Sequence, residues 1–213
     1  GSSSPPKGNV HIFFGGPVAT SGDWPVEAAD VTISGGFPTE QCGTAVASLG
    51  DVDGDLIDDL AFSCPWYNPG GGLRGRTVVF FGRSAWGSSY TSDDADASFV
   101  GGDQDAYSGQ ALEGLDLDGD GLNDLVIGSP DWNSGTGRIA IALGSGSSSW
   151  DSGTSMDSMN RLYPANNSSH ALGGWLGSGD ANGDSYDDLL VGAPGFGADK
   201  GILALLLGAA SPA

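Results

Sequence analysis

The sequence predicts an all-β chain built from a repeated four-stranded antiparallel unit, and three observations carry that expectation. Apolar runs of about four to eight residues, rich in Val, Ile and Phe and bounded by Gly, Pro and Asn, recur throughout, which is the pattern of strands rather than helices. An aspartate-rich segment occurs three times, as DVDGDLIDDL (51–60), DLDGDGLNDL (116–125) and DANGDSYDDL (180–189), at offsets of 65 and 64 residues. Each copy runs into the same succession of apolar stretches, so the period is structural and not merely compositional.

Taken in order, the opening GSSSPPKGN supplies residues 1–7 as a linker or cloning remnant, ahead of a repeat segment spanning 8–213. GNVHIFFGG (8–16) and ADVTISG (29–35) are the third and fourth strands of an incomplete first unit, within residues 8–35. GTAVASLG (43–50), DLAFSCP (59–65), GRTVVFFGR (75–83) and ASFVG (97–101) give first to fourth strands of a unit covering about 36–101. GQALEGL (109–115), DLVIGSP (124–130), GRIAIALGS (137–145) and NRLYPA (160–165) repeat the order over about 102–165. LGGWLGSG (172–179), DLLVGAP (188–194) and GILALLLGA (201–209) supply three more strands over about 166–209.

A single four-stranded sheet cannot bury both faces, and radial stacking of such sheets makes a β-propeller with the repeat as one blade. The count gives about three and a quarter blades. Propellers close with roughly four to eight blades. The expectation is therefore self-association, with a homodimer completing the ring, or membership of a longer chain, since bare edges otherwise invite aggregation.

Seven basic residues stand against 27 acidic ones, for a formal charge of −20. Nucleic acid and anionic membrane surfaces repel such a chain. No apolar run reaches the ~18 residues of a spanning helix. Glycine is abundant, at 38 of 213 residues, without the three-residue period of collagen, and six Trp with eight Phe argue for a packed core.

Thirteen of the acidic residues lie in the three repeated segments, where oxygen atoms alternate along a tight loop. Ca²⁺ takes six to eight hard oxygens at ~2.3–2.6 Å. The expected ligands at positions one, three, five, seven (backbone carbonyl) and nine are Asp51, Asp53, Asp55, Ile57 and Asp59 in the first loop. They are Asp116, Asp118, Asp120, Leu122 and Asp124 in the second, and Asp180, Asn182, Asp184, Tyr186 and Asp188 in the third. Gly54, Gly119 and Gly183 sit where the backbone must bend. An EF-hand is excluded: position twelve is Phe62, Ile127 or Val191 rather than Glu, and no helical pattern flanks the loops. Asp58, Asn123 and Asp187, at position eight, are expected to face solvent or tie down the turn. The expectation is three structural calcium sites; solvated acidic turns are the alternative.

The unit FG…D-x-[DN]-G-D-x-x-D-L-x-V-G-A-P resembles the FG-GAP repeat of the integrin α-subunit propeller and its bacterial relatives, with DLLVGAPGFG (188–197) the nearest match. The resemblance covers residues 8 to 209 and implies calcium held between first and second strands. The FG pair is replaced by Cys42-Gly43, by Ser108-Gly109, and, in this reading, by Ala171-Leu172. Cys42 takes the place of the motif Phe and Cys64 that of the GAP alanine, on strands expected to pair around one loop. A disulfide between them is expected to contribute about 3 kcal/mol, two buried thiols being the alternative. A disulfide and calcium would both suit an extracellular, secreted or cell-surface setting.

The face opposite the calcium loops carries aromatics just after each proline: Trp66 with Tyr67, Trp132 and Phe196, taken as candidate ligand-binding residues. Packing that anchors those loops is the alternative. In the integrin relatives that metal-free face docks ligands and partner subunits, which implies a module for protein interaction or cell adhesion. A glycan-binding or hydrolytic propeller and a purely architectural segment are the competing readings. Catalytic signatures are missing: no G-x-S-x-G, H-E-x-x-H or P-loop occurs, and His11, His170 and the run Asp93, Asp94, Asp96 fit structural or solvated roles. No enzyme is expected. NNSS (166–169) holds overlapping glycosylation sequons.

Overall fold

The computed structural model of the protein describes residues 7–15, 25–102, 107–146, 150–165 and 170–210. The NNSS sequons and most of the expected linker lie outside them. Asn9–Ile12 (β1) pairs antiparallel with Val31–Ser34 (β2). Val46–Gly50 (β3), Asp59–Cys64 (β4), Arg76–Phe80 (β5) and, after a short strand Ser89–Thr91 (β6), Ala97–Val100 (β7) form the first complete blade in the order β3-β4-β5-β7. Ala111–Leu115 (β8), Asp124–Ser129 (β9), Arg138–Ala142 (β10) and, after Thr154–Ser155 (β11), Arg161–Pro164 (β12) form the second. Trp175–Gly179 (β13), Asp188–Ala193 (β14) and Ile202–Leu206 (β15) form a three-stranded sheet. The chain is nearly all-β, and its architecture is that of a partial β-propeller.

The continuous apolar runs follow from burial of both sheet faces. Along β9, Leu125 and Ile127 pack towards the preceding blade while Val126 packs towards the following one. Along β10, Ala140 and Ala142 face the first set, Ile139 and Ile141 the second. Period-two alternation thus divides the buried side chains into three clusters, one at each junction between adjacent sheets. The junction before the first complete blade is aromatic, with Phe62 stacked 6.0 Å from Phe80 and Tyr90 edge-on to Phe80 at 5.7 Å.

Two devices hold neighbouring sheets in register. The backbone N–H of Cys42, Ser108 and Leu172 donates to the carbonyl of Lys7, Arg74 and Thr136, at 3.0, 3.3 and 3.4 Å. The next residue but none other than glycine, at 8, 75 and 137, allows this approach: a Cβ there would lie 2.2, 2.4 and 2.1 Å from the facing backbone. The second device was not expected from sequence. The connection between third and fourth strands reaches back, so that β6 pairs parallel with β2 and β11 parallel with β7, each extending the preceding sheet.

This geometry corrects one sequence assignment. Gly43, Gly109 and Gly173 share φ of +89°, +89° and +88°, and Leu172 occupies the place of Cys42 and Ser108. The third FG-equivalent pair is therefore Leu172-Gly173, one residue later than Ala171-Leu172.

Candidate metal centres

Each aspartate loop links an inner strand to its neighbour: β3 to β4, β8 to β9 and β13 to β14. The first residue of each loop folds the segment around its own carboxylate. Asp51 accepts from the N–H groups of Gly54 (2.6 Å) and Leu56 (2.9 Å). Asp116 accepts from Gly119 (2.7 Å) and Gly121 (3.0 Å), and Asp180 from Gly183 (2.6 Å) and Ser185 (3.0 Å). Those hydrogen bonds hold the exposed Asp180 carboxyl below the ordinary carboxylate range. At position five, Asp55, Asp120 and Asp184 accept from the N–H of Ile57 (2.8 Å), Leu122 (2.9 Å) and Tyr186 (3.0 Å), so the position-seven residues are tied to the ligand two places earlier.

The ninth position is different in kind. Asp59, Asp124 and Asp188 are each at most 1% exposed. Asp59 accepts from Val52 N–H (2.8 Å) and Gly82 N–H (2.7 Å). Asp124 accepts from Leu117 (3.2 Å) and Gly144 (2.9 Å), and Asp188 from Ala181 and Gly208, both at 2.9 Å. One carboxylate therefore ties the second residue of each loop to the glycine two places after the third strand. Burial pushes Asp59 up to about 6, against the opposing bonds from Gly82 and Val52, with the charges of Asp53 and Asp51 adding to the rise. Burial likewise pushes Asp124 up to about 7, opposed by the Gly144 bond and reinforced by Asp118 and Asp116. Asp53 is raised, again chiefly by burial.

Ligand oxygens of Asp51, Asp53 and Asp59 lie within 4.8 Å of one another, as do those of Asp116, Asp118 and Asp120. Asp55 stands outside the first group and Asp124 outside the second. In the third loop Asn182 replaces an aspartate, and its amide donates to Asp184 at 2.9 Å. These hard oxygen donors, crowded together in one loop, fit a divalent cation: its charge removes the repulsion that the bare carboxylates carry. They hold no soft sulfur ligand: Cys64 lies at the far end of β4 from Asp59, and it is joined to Cys42.

The loops are also docked on one another. Asn123 N–H, at position eight of the second loop, donates to the Asp51 carbonyl at 2.8 Å. Asp187, at the same place in the third, accepts from Asp116 N–H at 3.4 Å. Tyr186 packs on Gly119. Asn123 and Asp187 thus join adjacent blades instead of only closing their own turns. Sequence reading missed this because the partners lie more than sixty residues apart.

On the opposite face, Tyr67 and Trp132 lie over the guanidinium groups of Arg76 and Arg138, both at 5.2 Å. Each arginine is buried and reaches an aspartate of its own blade, Asp93 or Asp157, at 2.7 Å. Phe196 meets His170 at 4.6 Å. Trp66 is 38% exposed and meets Tyr107 edge-on at 5.7 Å. His11 bonds the Thr32 hydroxyl at 3.2 Å, within the β1–β2 pair. Asp94 caps the turn at Thr91, and Asp96 pairs with Arg83.

Stacked four-stranded sheets with one aspartate loop per repeat define this chain as a repeat-built propeller protein. Residues 108–141 and 172–206 match the family description FG-GAP repeat, each match running from a first-strand pair through the loop to the third strand. Integrin alpha-PS2 of Drosophila melanogaster is 33% identical over 153 residues, covering 68% of this chain and 10% of that protein. Phosphatidylinositol-glycan-specific phospholipase D of Bos taurus is 31% identical over 179 residues, 79% of this chain and 21% of that protein. Integrin alpha-IIb of Homo sapiens is 32% identical over 123 residues, 57% of this chain and 11% of that protein. The chain is an FG-GAP repeat protein with an integrin-like propeller fold. It spans about a tenth to a fifth of the length of these relatives.

Proposed function

We propose that this chain is a calcium-stabilised, extracellular propeller module for protein interaction or adhesion, without catalytic activity of its own. The carrying observation is the threefold recurrence of one loop geometry, folded around Asp51, Asp116 and Asp180, with carboxylate oxygens converging in the first two loops. Calcium would be held by the carboxylates at positions one, three, five and nine, Asn182 standing in at the third loop, with carbonyls of Ile57, Leu122 and Tyr186. It would supply charge compensation. Saturation to ~100 times the dissociation constant adds about 2.7 kcal/mol per site when the unfolded chain does not bind. The Cys42–Cys64 disulfide supports an oxidising compartment. Among the described residues no helix is long and apolar enough to cross a membrane.

Calorimetric titration of chelator-stripped protein with Ca²⁺ tests the reading. Three sites and a higher melting temperature are expected; no heat at millimolar Ca²⁺ and an unchanged melt overturn it. The phospholipase D relatives support the hydrolytic alternative, and turnover of a phosphodiester substrate by this chain would replace the non-catalytic reading.

A second copy completing the ring is favoured by one observation. The last strand and its flank leave Ile202, Leu203, Leu205 and Leu207 between 46% and 65% exposed, on a sheet with no following blade among the described residues. Light scattering on a sizing column is expected to show a dimer in calcium that dissociates or unfolds in chelator; a monomer in calcium refutes it.

A further inference from the structure

We propose that the cleft between the two complete blades, on the face opposite the aspartate loops, binds a neutral saccharide through Trp66, Tyr107, Gln41, Gln110 and Asp131. The proposal rests on reading the chain as an interaction module and names the ligand class of that surface. The cleft has a volume of about 300 Å³, at the small end of ligand pockets. It is built jointly: Gln41 and Trp66 come from the first complete blade, Tyr107, Gln110 and Asp131 from the second.

The repeat explains why this cleft is unlike its neighbour. Gln41, Tyr107 and Ala171 precede the three FG-equivalent pairs and share left-handed backbone, with φ of 54°, 64° and 51°. The fold imposes that conformation; what varies is the side chain, an amide, a phenol and a methyl. In the same way Trp66, Asp131 and Gly195 follow the prolines at equivalent places. The aromatics one residue later are used internally, Tyr67 and Trp132 each over a buried arginine. Trp66 is held by an edge-on contact with Tyr107 and stays 38% exposed. Among the described residues, only the junction between the two complete blades therefore combines an exposed indole with a phenol and several polar side chains.

Those polar groups suit hydroxyls, which both donate and accept. Gln110 Nε2 donates to Asp131 Oδ2, which fixes the amide against the carboxylate and leaves Gln110 Oε1 and Asp131 Oδ1 as further acceptors. Gln41 offers a donor and an acceptor. The apolar C–H face of a pyranose carries partial positive charge and matches the negative face of an indole ring. Among the described residues no Lys or Arg lines the cleft, and Asp131 together with the chain's charge of −20 disfavours sialylated or sulfated glycans. A basic peptide would draw on the same negative charge, but the cleft presents a single carboxylate beside two neutral amides and a phenol, so basic peptides form the opposing arm of the test.

The test is an array of neutral, sialylated and sulfated glycans together with Lys-rich and Arg-rich peptides, probed with the whole chain in saturating calcium. The best neutral glycan is then titrated calorimetrically. The expected result is saturable neutral-glycan binding that weakens at least tenfold in Trp66→Ala and at least threefold in Gln110→Ala. Leu162→Ser, on strand β12 outside the cleft, keeps full affinity, and all variants keep the calcium-dependent melt of the parent. Binding confined to anionic glycans or basic peptides, no binding at all, or neutral binding indifferent to Trp66→Ala overturns the proposal. Failure here with calcium binding intact leaves the calcium reading standing, and the reverse outcome separates them in the other direction.

Discussion

Replacing Asp124 by alanine is the sharpest test of how these loops are built. Its carboxylate is 1% exposed and accepts from the N–H groups of Leu117, at 3.2 Å, and Gly144, at 2.9 Å. Alanine leaves two buried donors without acceptors, at about 1–3 kcal/mol each. The loss is therefore about 4 kcal/mol, or roughly 8–16 °C in Tm for a chain of this size. The comparison is Asp120→Ala, whose exposed carboxylate holds one loop N–H, that of Leu122, at 2.9 Å. That change should cost less than about 1 kcal/mol without metal. Urea denaturation across a calcium series separates the two. Asp124→Ala should already show its deficit at the lowest calcium that keeps the parent folded and lose further stability as calcium rises, whereas the Asp120→Ala deficit should emerge only as calcium rises and its site fails to fill. Equal deficits at low calcium would refute the distinction between a buried carboxylate that also holds the loop and an exposed one that serves only the metal.

Three further outcomes follow from the same geometry. In chelator the folded chain keeps protons on Asp59 and Asp124 up to about pH 6 and 7, whereas unfolded carboxylates release them near ~4. The folded state binds more protons in that window, so metal-free stability should fall as pH rises through it, and calcium affinity should fall as pH drops below about 7. A metal-free melt higher at pH 7.5 than at pH 5 would contradict this. Gly119→Ala should destabilise by about 1–3 kcal/mol, since the new Cβ would lie 2.1 Å from the Tyr186 ring at φ +71°; Gly183→Ala, with φ +83° and nothing within 4 Å, should cost only about 1 kcal/mol. Equal costs in denaturant titrations would remove the role assigned to Tyr186. Removing the Cys42–Cys64 bond, which closes a loop of separation 22, should cost about 3 kcal/mol in urea with and without reductant, and a loss below ~1 kcal/mol would count against it.

What the sequence determined by itself was whatever is written within one repeat. Strand runs such as DLVIGSP state their own period, and alternating oxygens at Asp116, Asp118 and Asp120 state a possible ligand set, because both depend on residues a few positions apart. The partial propeller followed by recurrence alone. One local slip, Ala171 for Leu172, arose because the backbone angle at Gly173 fixes that register and the letters do not.

The tertiary structure decided how one repeat meets the next. The reach of β6 to β2 and of β11 to β7, the Asn123 bond to Asp51 and the seat of Tyr186 on Gly119 join segments separated by some sixty residues. The pairing of Trp66 with Tyr107 across a blade junction belongs with them. No local propensity encodes these contacts. They exist because stacking brings the same position of successive repeats to one edge, where only the side chains on both sheets together determine whether a ring packs, a hydrogen bond closes or a cleft stays open.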